Sequence, residues 1–208
     1  MDTITFPIRA LVASGRTEYR FLGLSSFSDE RYDYVASEVS GFCLDVGCGY
    51  NRFIRDFCQG NGIGIDLFPY DGIEKNHVIE DLTSLPFADN TFDAVTFIAN
   101  INHIPRKDRD KELGEAYRCL RPGGKIVITN LNPLASQLVH RMGFAYYNIF
   151  YYGLLHKPNI PGHAEGDDDL TISNREIADR LEKIGFKALR SRYFTTQWFL
   201  NHMIIAEK

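Results

Sequence analysis

The stretch Leu44-Asp45-Val46-Gly47-Cys48-Gly49-Tyr50-Asn51-Arg52 carries the strongest chemical signal in the chain. It joins an apolar run to an amphipathic one through two closely spaced glycines. Glycine lets backbone approach a ligand with no Cβ in the way, and in an open parallel sheet ligands bind beyond the carboxyl ends of the strands. Asp45 stands two residues before the first glycine. Its carboxylate would repel a pyrophosphate and attract the ammonium of an amino-acid-like ligand. The dinucleotide fingerprint Gly-x-Gly-x-x-Gly is broken, because Arg52 occupies its third glycine position. A tight strand-to-helix turn with no ligand is the plain alternative. Asp66 ends a second apolar run, where an acid can accept both hydroxyls of a ribose; as a helix cap alone it would need no ligand.

Two later segments could face an acceptor. In Asn100-Ile101-Asn102-His103-Ile104-Pro105, His103 is a candidate general base, or else a histidine that only orders its loop; Asn102 is equally placed to meet the acceptor. The insert over 132–170 is aromatic, with Tyr146, Tyr147 and Tyr151 beside Phe150 and Tyr152. Three uses stay open for it: a core-filling helix, a lid over an aromatic or lipid-like acceptor, or a membrane-facing patch. Its apolar part, 144–155, is too short to cross a bilayer, which takes about 20 residues. His156, His163, Glu165 and the acids 167–169 are irregularly spaced and read as a solvated loop, and no Cys-x-x-Cys pair exists among Cys43, Cys48, Cys58 and Cys119, so no metal is expected.

The elements that must position these groups follow a strand–helix alternation, the pattern of a parallel sheet covered on both faces. Strands are predicted at 42–46, ending near 67, at 77–79, at 92–98 and at 125–131, with a closing antiparallel hairpin of 187–194 and 199–206. Helices are predicted around 29–39, over 51–59, over 107–120 and over 171–184. The first of these spans lies in a lead-in of residues 1–40. The 107–120 helix stops at the Arg121-Pro122-Gly123-Gly124 turn. The 171–184 helix opens with Ser173 as N-cap and Glu176 three residues on, a capping box, and stops at Gly185. Between Asp66 and His77 the interval is too short for a long helix, and Phe68-Pro69-Tyr70-Asp71-Gly72 is turn chemistry; Phe68 or Tyr70 would shield a bound base.

Leu44 to Gly49 resembles the first motif of the class I S-adenosylmethionine-dependent methyltransferases. Gly62-Ile63-Gly64-Ile65-Asp66 looks like their second strand and ribose acid. The run from Glu80 to Asp93 is similar to their passage from third to fourth strand, and Leu120-Arg121-Pro122-Gly123-Gly124-Lys125 to their turn before the fifth. These motifs fall in order over residues 42–131 and are most like the small-molecule branch called type 11. The resemblance implies an α/β, Rossmann-like three-layer sandwich. Its sheet would be seven-stranded and mostly parallel, in the order 3-2-1-4-5-7-6, with the last strand antiparallel. It implies S-adenosylmethionine as cofactor. Asp45, Gly47 and Gly49 would hold the methionine end, and Ala99 and Asn100 would line it. Asp66 would clamp the ribose, with Leu67 against the adenine. Asp81 would take the adenine amine, with Leu82 lending a backbone donor. Asp93 reads instead as a residue that orders the turn before its strand.

The 208 residues suit a single domain. A net charge of -4 with no basic run argues against a nucleic-acid partner, since Asp108 and Asp110 interleave with Arg106, Lys107 and Arg109. No secretory leader is expected at Met1-Asp2-Thr3-Ile4, and the thiols suit a reducing cytoplasm. The function expected is methyl transfer to a small-molecule acceptor; a non-catalytic module that binds the same cofactor is the alternative.

Overall fold

The computed structural model describes residues 27–132 and 172–208. Among these residues six strands form one sheet: β1 (Cys43–Val46), β2 (Gly62–Ile65), β3 (Phe92–Ile98), β4 (Leu120–Leu131), β5 (Lys187–Tyr193) and β6 (Asn201–Glu207), in the order β2-β1-β3-β4-β6-β5. The first four are parallel, and β6 runs antiparallel to both of its neighbours. This is the expected order with one correction. The predicted strand at 77–79 is reduced to a single parallel bridge between Asp66 and Val78, so six strands stand where seven were expected. The bridge is made by the Asp66 amide donating to His77 O (3.3 Å) and the Ile79 amide donating to Asp66 O (3.0 Å). The connection before it is only a turn and one 3-10 turn (Lys75–His77), too short to lay a full strand alongside β2.

Among the described residues three helices flank the sheet: α1 (Phe27–Ala36), α2 (Arg109–Cys119) and α3 (Asn174–Ile184). Alternation along the strands divides the core. Ile126, Ile128, Ile204 and Ala206 pack with Leu113 and Ala116 of α2 and with Ile177 and Leu181 of α3. Ala94, Val127, Met203 and Ile205 pack with Tyr34 and Val35 of α1 and with Phe53 and Ile54. Each cluster is continuous, which makes the three layers.

Local chemistry explains the boundaries. Ser173 accepts from the Glu176 amide (3.1 Å) at the start of α3, and Gly185 stops it with φ +118°. The predicted helix over 51–59 is a short π-helix, Phe53–Phe57, closed by the Cys58 amide on Phe53 O (3.0 Å). Gln59 (φ +56°) and Gly60 (φ +77°) unwind it at once. The predicted turn at Arg121–Gly124 is a bulge inside β4: Leu120 still pairs with Phe92, and pairing resumes at Lys125 opposite Ala94. Asp93 orders this corner, accepting from the Phe42 amide (2.8 Å) and from Arg121 (2.7 Å). Among the described residues no helix is long and apolar enough to cross a membrane.

Candidate functional site

The carboxyl edge of β1, β2 and β3 is built around residues 45–51 and 66. Gly47 has φ +71° and Gly49 φ +53°, left-handed conformations that side chains rarely adopt. Gly47 is also closed in. A Cβ there would lie 2.3 Å from Asn100 Nδ2, and that amide donates to Val46 O (3.1 Å). Gly49 is the opposite case, since a Cβ there would meet nothing within 4 Å. The turn is therefore packed on its β3 side and open over Gly49, where a ligand would lie.

The amides of the turn are already committed. Gly47 N and Cys48 N both donate to Ile65 O (2.9 and 3.0 Å), Asn51 N to Cys48 O (3.0 Å), and Gly49 N to Asp66 Oδ2 (2.9 Å). A pyrophosphate cradle needs such amides aimed outward at a helix start, and the helix that follows is a five-residue π-helix. Both points agree with the broken dinucleotide fingerprint. Asp66 uses its other oxygen to accept from the Phe68 amide (3.1 Å), so it ties the glycine turn to the end of β2.

Asp45 is buried, 2% exposed, and its Oδ1 accepts from Thr96 Oγ1 at 2.7 Å. Burial pushes its carboxyl up to about 7; the Thr96 bond opposes the rise and the Asp66 carboxylate adds to it. Such an acid is stabilised by an incoming cation and destabilised by an incoming phosphate. The residues present thus fit a cationic amino-acid end: a buried acid, an open glycine, and a second acid at the next strand end. Thr96 was not singled out in the sequence; its signal is a hydroxyl inside the otherwise apolar run of β3.

The other candidates fall around this edge. Leu67 is exposed beside Asp66, next to an aromatic group in which Tyr70 contacts Tyr50 (5.2 Å between ring centroids) and Phe68 (6.2 Å). Asp81 is exposed and closes a turn, accepting from both the amide (2.8 Å) and hydroxyl (2.7 Å) of Thr83, which lower its pKa; Leu82 beside it is buried. Ala99 follows β3 in a left-handed conformation (φ +54°), pinned by its amide on Thr129 Oγ1 (2.9 Å). Non-glycine residues held this way cluster at functional edges. Asn102 and His103 lie in the 3-10 turn Ile101–His103; His103 is exposed, and Asn102 Oδ1 is buried without a hydrogen-bond partner. Tyr146, Tyr147 and Tyr151 lie outside the described residues, as do His156, His163 and the acids near them. The four cysteines are free thiols, and no group of potential metal ligands occurs among the described residues.

Comparisons with known proteins agree with this geometry. A family described as "Methyltransferase domain" matches residues 44–128. The ubiquinone/menaquinone biosynthesis C-methyltransferase UbiE of Ruegeria sp. is 30% identical over 180 residues, covering 76% of this chain and 69% of the relative. The protein of the same name from Roseobacter denitrificans is 32% identical over 169 residues, 71% of this chain and 64% of its own length. A demethylmenaquinone methyltransferase of Bacteroides fragilis is 52% identical over 120 residues, 58% of this chain and 41% of the relative. The chain thus spans about two fifths to two thirds of the length of these relatives. Among solved structures, a SAM-dependent methyltransferase from Archaeoglobus fulgidus superposes with a TM-score of 0.57 at 16% identity, over 92% of this chain and 97% of that one. One from Aquifex aeolicus gives 0.56 at 15%, over 90% and 96%. These two likenesses establish the fold. With the ordered motifs, the glycine turn and the sequence relatives, the chain belongs to the class I S-adenosylmethionine-dependent methyltransferases.

Proposed function

We propose that this chain transfers a methyl group from S-adenosylmethionine to a small apolar acceptor bearing an aromatic or quinol-like ring. The observation that carries the reading is the buried, cation-seeking Asp45 at the end of β1, leading into a glycine turn that is open over Gly49. The cofactor supplies a sulfonium-activated methyl. The protein's part is to hold it, align the acceptor and keep water out, and alignment alone can contribute on the order of 7–11 kcal/mol. Asp45, with Thr96 behind it, takes the ammonium; Gly47, Gly49, Ala99 and Asn100 shape the methionine end. Asp66 accepts from the ribose, Leu67 covers the adenine, and Asp81 with Leu82 meets its polar edge. His103 and Asn102 face the acceptor, with His103 the candidate to receive a proton where carbon or oxygen is methylated. Tyr146, Tyr147 and Tyr151, outside the described residues, are the aromatic candidates to meet an apolar acceptor.

The names of the relatives support the acceptor class, since they denote C-methyltransferases of ubiquinone/menaquinone biosynthesis. The test is isothermal titration with S-adenosylhomocysteine, followed by a labelled-methyl assay on 1,4-naphthoquinol and on a panel of phenols. Cofactor binding with transfer to the quinol is expected. No binding would remove the cofactor reading; binding without transfer to any ring acceptor would remove the acceptor class and favour a non-catalytic module.

A further inference from the structure

Two of the four thiols meet, at the end of the glycine turn's helix away from the open site. Cys43 opens β1 and is fully buried, packed with Phe53, Ile54 and Ala94. Cys58 follows the π-helix Phe53–Phe57 and packs against the same cluster, but it is only half-buried. Backbone bonds fix the two segments to each other. Asn61 N donates to Cys58 O (2.9 Å), and Cys43 N donates to Asn61 O (3.3 Å). Beside this bridge the two thiols share a hydrogen bond, Cys43 donating to Cys58, and it is the foremost influence on both. Cys58 also lines a pocket of about 160 Å³ with Val39, Gly41, Phe57 and Asn61. It is therefore the accessible member of the pair, and Cys43 is the hidden one.

The pair is also unequal in charge. The bond to Cys58 and burial hold the Cys43 thiol well above the ordinary range, and the Asp45 carboxylate, two residues along β1, adds to the rise. The same hydrogen bond, received rather than given, holds the Cys58 thiol below its ordinary value against opposition from burial and Asp45. The other two cysteines are buried and go the other way. Burial raises Cys48, with Asp45 and Asp66 adding to it, and burial raises Cys119. A thiolate, not a thiol, is the nucleophile. Of the four, only Cys58 combines access, ease of ionisation and a second thiol in contact.

We propose that Cys58 is a site of reversible oxidation by hydroperoxides, with Cys43 as its resolving thiol. The Cys58 sulfur attacks one peroxide oxygen. An S–O bond forms, the O–O bond breaks, and the leaving oxygen takes the Cys58 proton and departs as water, or as an alcohol from an alkyl hydroperoxide. The Cys43 sulfur then attacks the sulfenic sulfur. The S–S bond forms, the S–O bond breaks, and the Cys43 proton leaves with that oxygen as a water. Two thiols have lost two electrons to one peroxide, and a dithiol returns them. The bond closes residues 43–58 into a ring that contains Asp45 and the whole glycine turn. The proposal draws on the thiols alone and stands apart from the cofactor reading.

The test treats the full reduced chain with a modest excess of hydrogen peroxide, blocks free thiols and maps disulfides by tandem mass spectrometry. Fragmentation has to assign the bond, because Cys43 and Cys48 share the tryptic peptide 32–52. A Cys43–Cys58 link that dithiothreitol removes is expected. Cys58→Ser should leave Cys43 reduced. Cys43→Ser should leave Cys58 as a sulfenic acid that dimedone traps; if that variant does not fold, the wild-type map and Cys58→Ser decide alone. The linked form should melt about 5 °C above the reduced one, since closing a loop of this length restricts the unfolded chain. A link from Cys58 to Cys48, Cys58 driven to sulfinic acid with Cys43 still free, or Cys58 alkylated no faster than Cys119 would each overturn the proposal. A Cys43–Cys58 bond that lowers Tm would overturn it too, because the fold would then have been forced to accept the bond.

Discussion

Replacing Asp45 by Asn separates what the glycine turn costs from what it does. In the folded chain burial raises the Asp45 carboxyl from 3.8 to about 7, while the unfolded chain ionises near the ordinary value. The retained proton gives stability that is fully present below about pH 3.8 and is lost as pH rises through 7. The gap is about 3 units, each worth about 1.36 kcal/mol, so the loss is at most about 4 kcal/mol; local relaxation should trim it to about 2. Asn keeps the shape and the acceptor for Thr96 Oγ1 but has no proton to lose. Asp45→Asn should therefore match wild type near pH 4 and exceed it by about 2 kcal/mol at pH 8 to 9, roughly 4–8 °C in Tm for a chain of this size. Ligand binding should show the opposite sign. An ammonium beside Asp45 favours its ionised form, so S-adenosylhomocysteine should expel a proton from wild type below neutrality and bind more tightly as pH rises from about 6 to 8. The variant should bind about 1.5–3 kcal/mol more weakly, with a flat pH profile. Scanning fluorimetry from pH 4 to 9, and calorimetry in two buffers of different ionisation enthalpy, read both effects. Parallel Tm curves for the two proteins across that range would refute the reasoning, because they would mean that Asp45 is ionised throughout.

Three further outcomes follow from the same edge. Asp66→Ala removes an acceptor from the Gly49 and Phe68 amides together with the ribose acceptor proposed above, so calorimetry should show cofactor affinity falling by roughly 1–3 kcal/mol. Gly47→Ala forces a Cβ to 2.3 Å from Asn100 at φ +71°, and urea unfolding should report a loss above about 2 kcal/mol, whereas Gly49→Ala should mainly impair cofactor binding. His202 is fully buried with neither ring nitrogen bonded, and burial pushes its pKa down to about 4. Its neutral form supports stability above pH 6.5, and that support is lost as pH falls through 4, so His202→Leu should flatten the acid limb of the Tm profile by up to about 3 kcal/mol.

Much of this was legible in the sequence because the turn chemistry is local. Two glycines, an acid two residues before them and an acid at the next strand end placed the candidate site before any contact was known. Ser173 with Glu176, and Gly185, marked the limits of α3 in the same way. The misses are tertiary. Val78 reads as strand, yet the short path from Asp66 allows only one rung of pairing. Arg121-Pro122-Gly123-Gly124 reads as a break between elements, but Leu120 had already joined the sheet opposite Phe92. Thr96 and His202 carry no local pattern at all. Their roles come from what surrounds them: the Asp45 carboxylate on the neighbouring β1, and burial beside the Tyr193 ring at the start of β6.

Gly47 and Asn100 interlock across β1 and β3. The amide fills the space a Cβ would need, and it also satisfies Val46 O, so neither position is free to drift alone. Any side chain at 47 must wait for a smaller residue at 100, and that change first strands a backbone carbonyl. Every single step between the present pair and another passes through a damaged turn. The two sites are thus epistatic, and an evolutionary or engineered walk that remodels the carboxyl edge of β3 has to move both together or leave Asn100 in place.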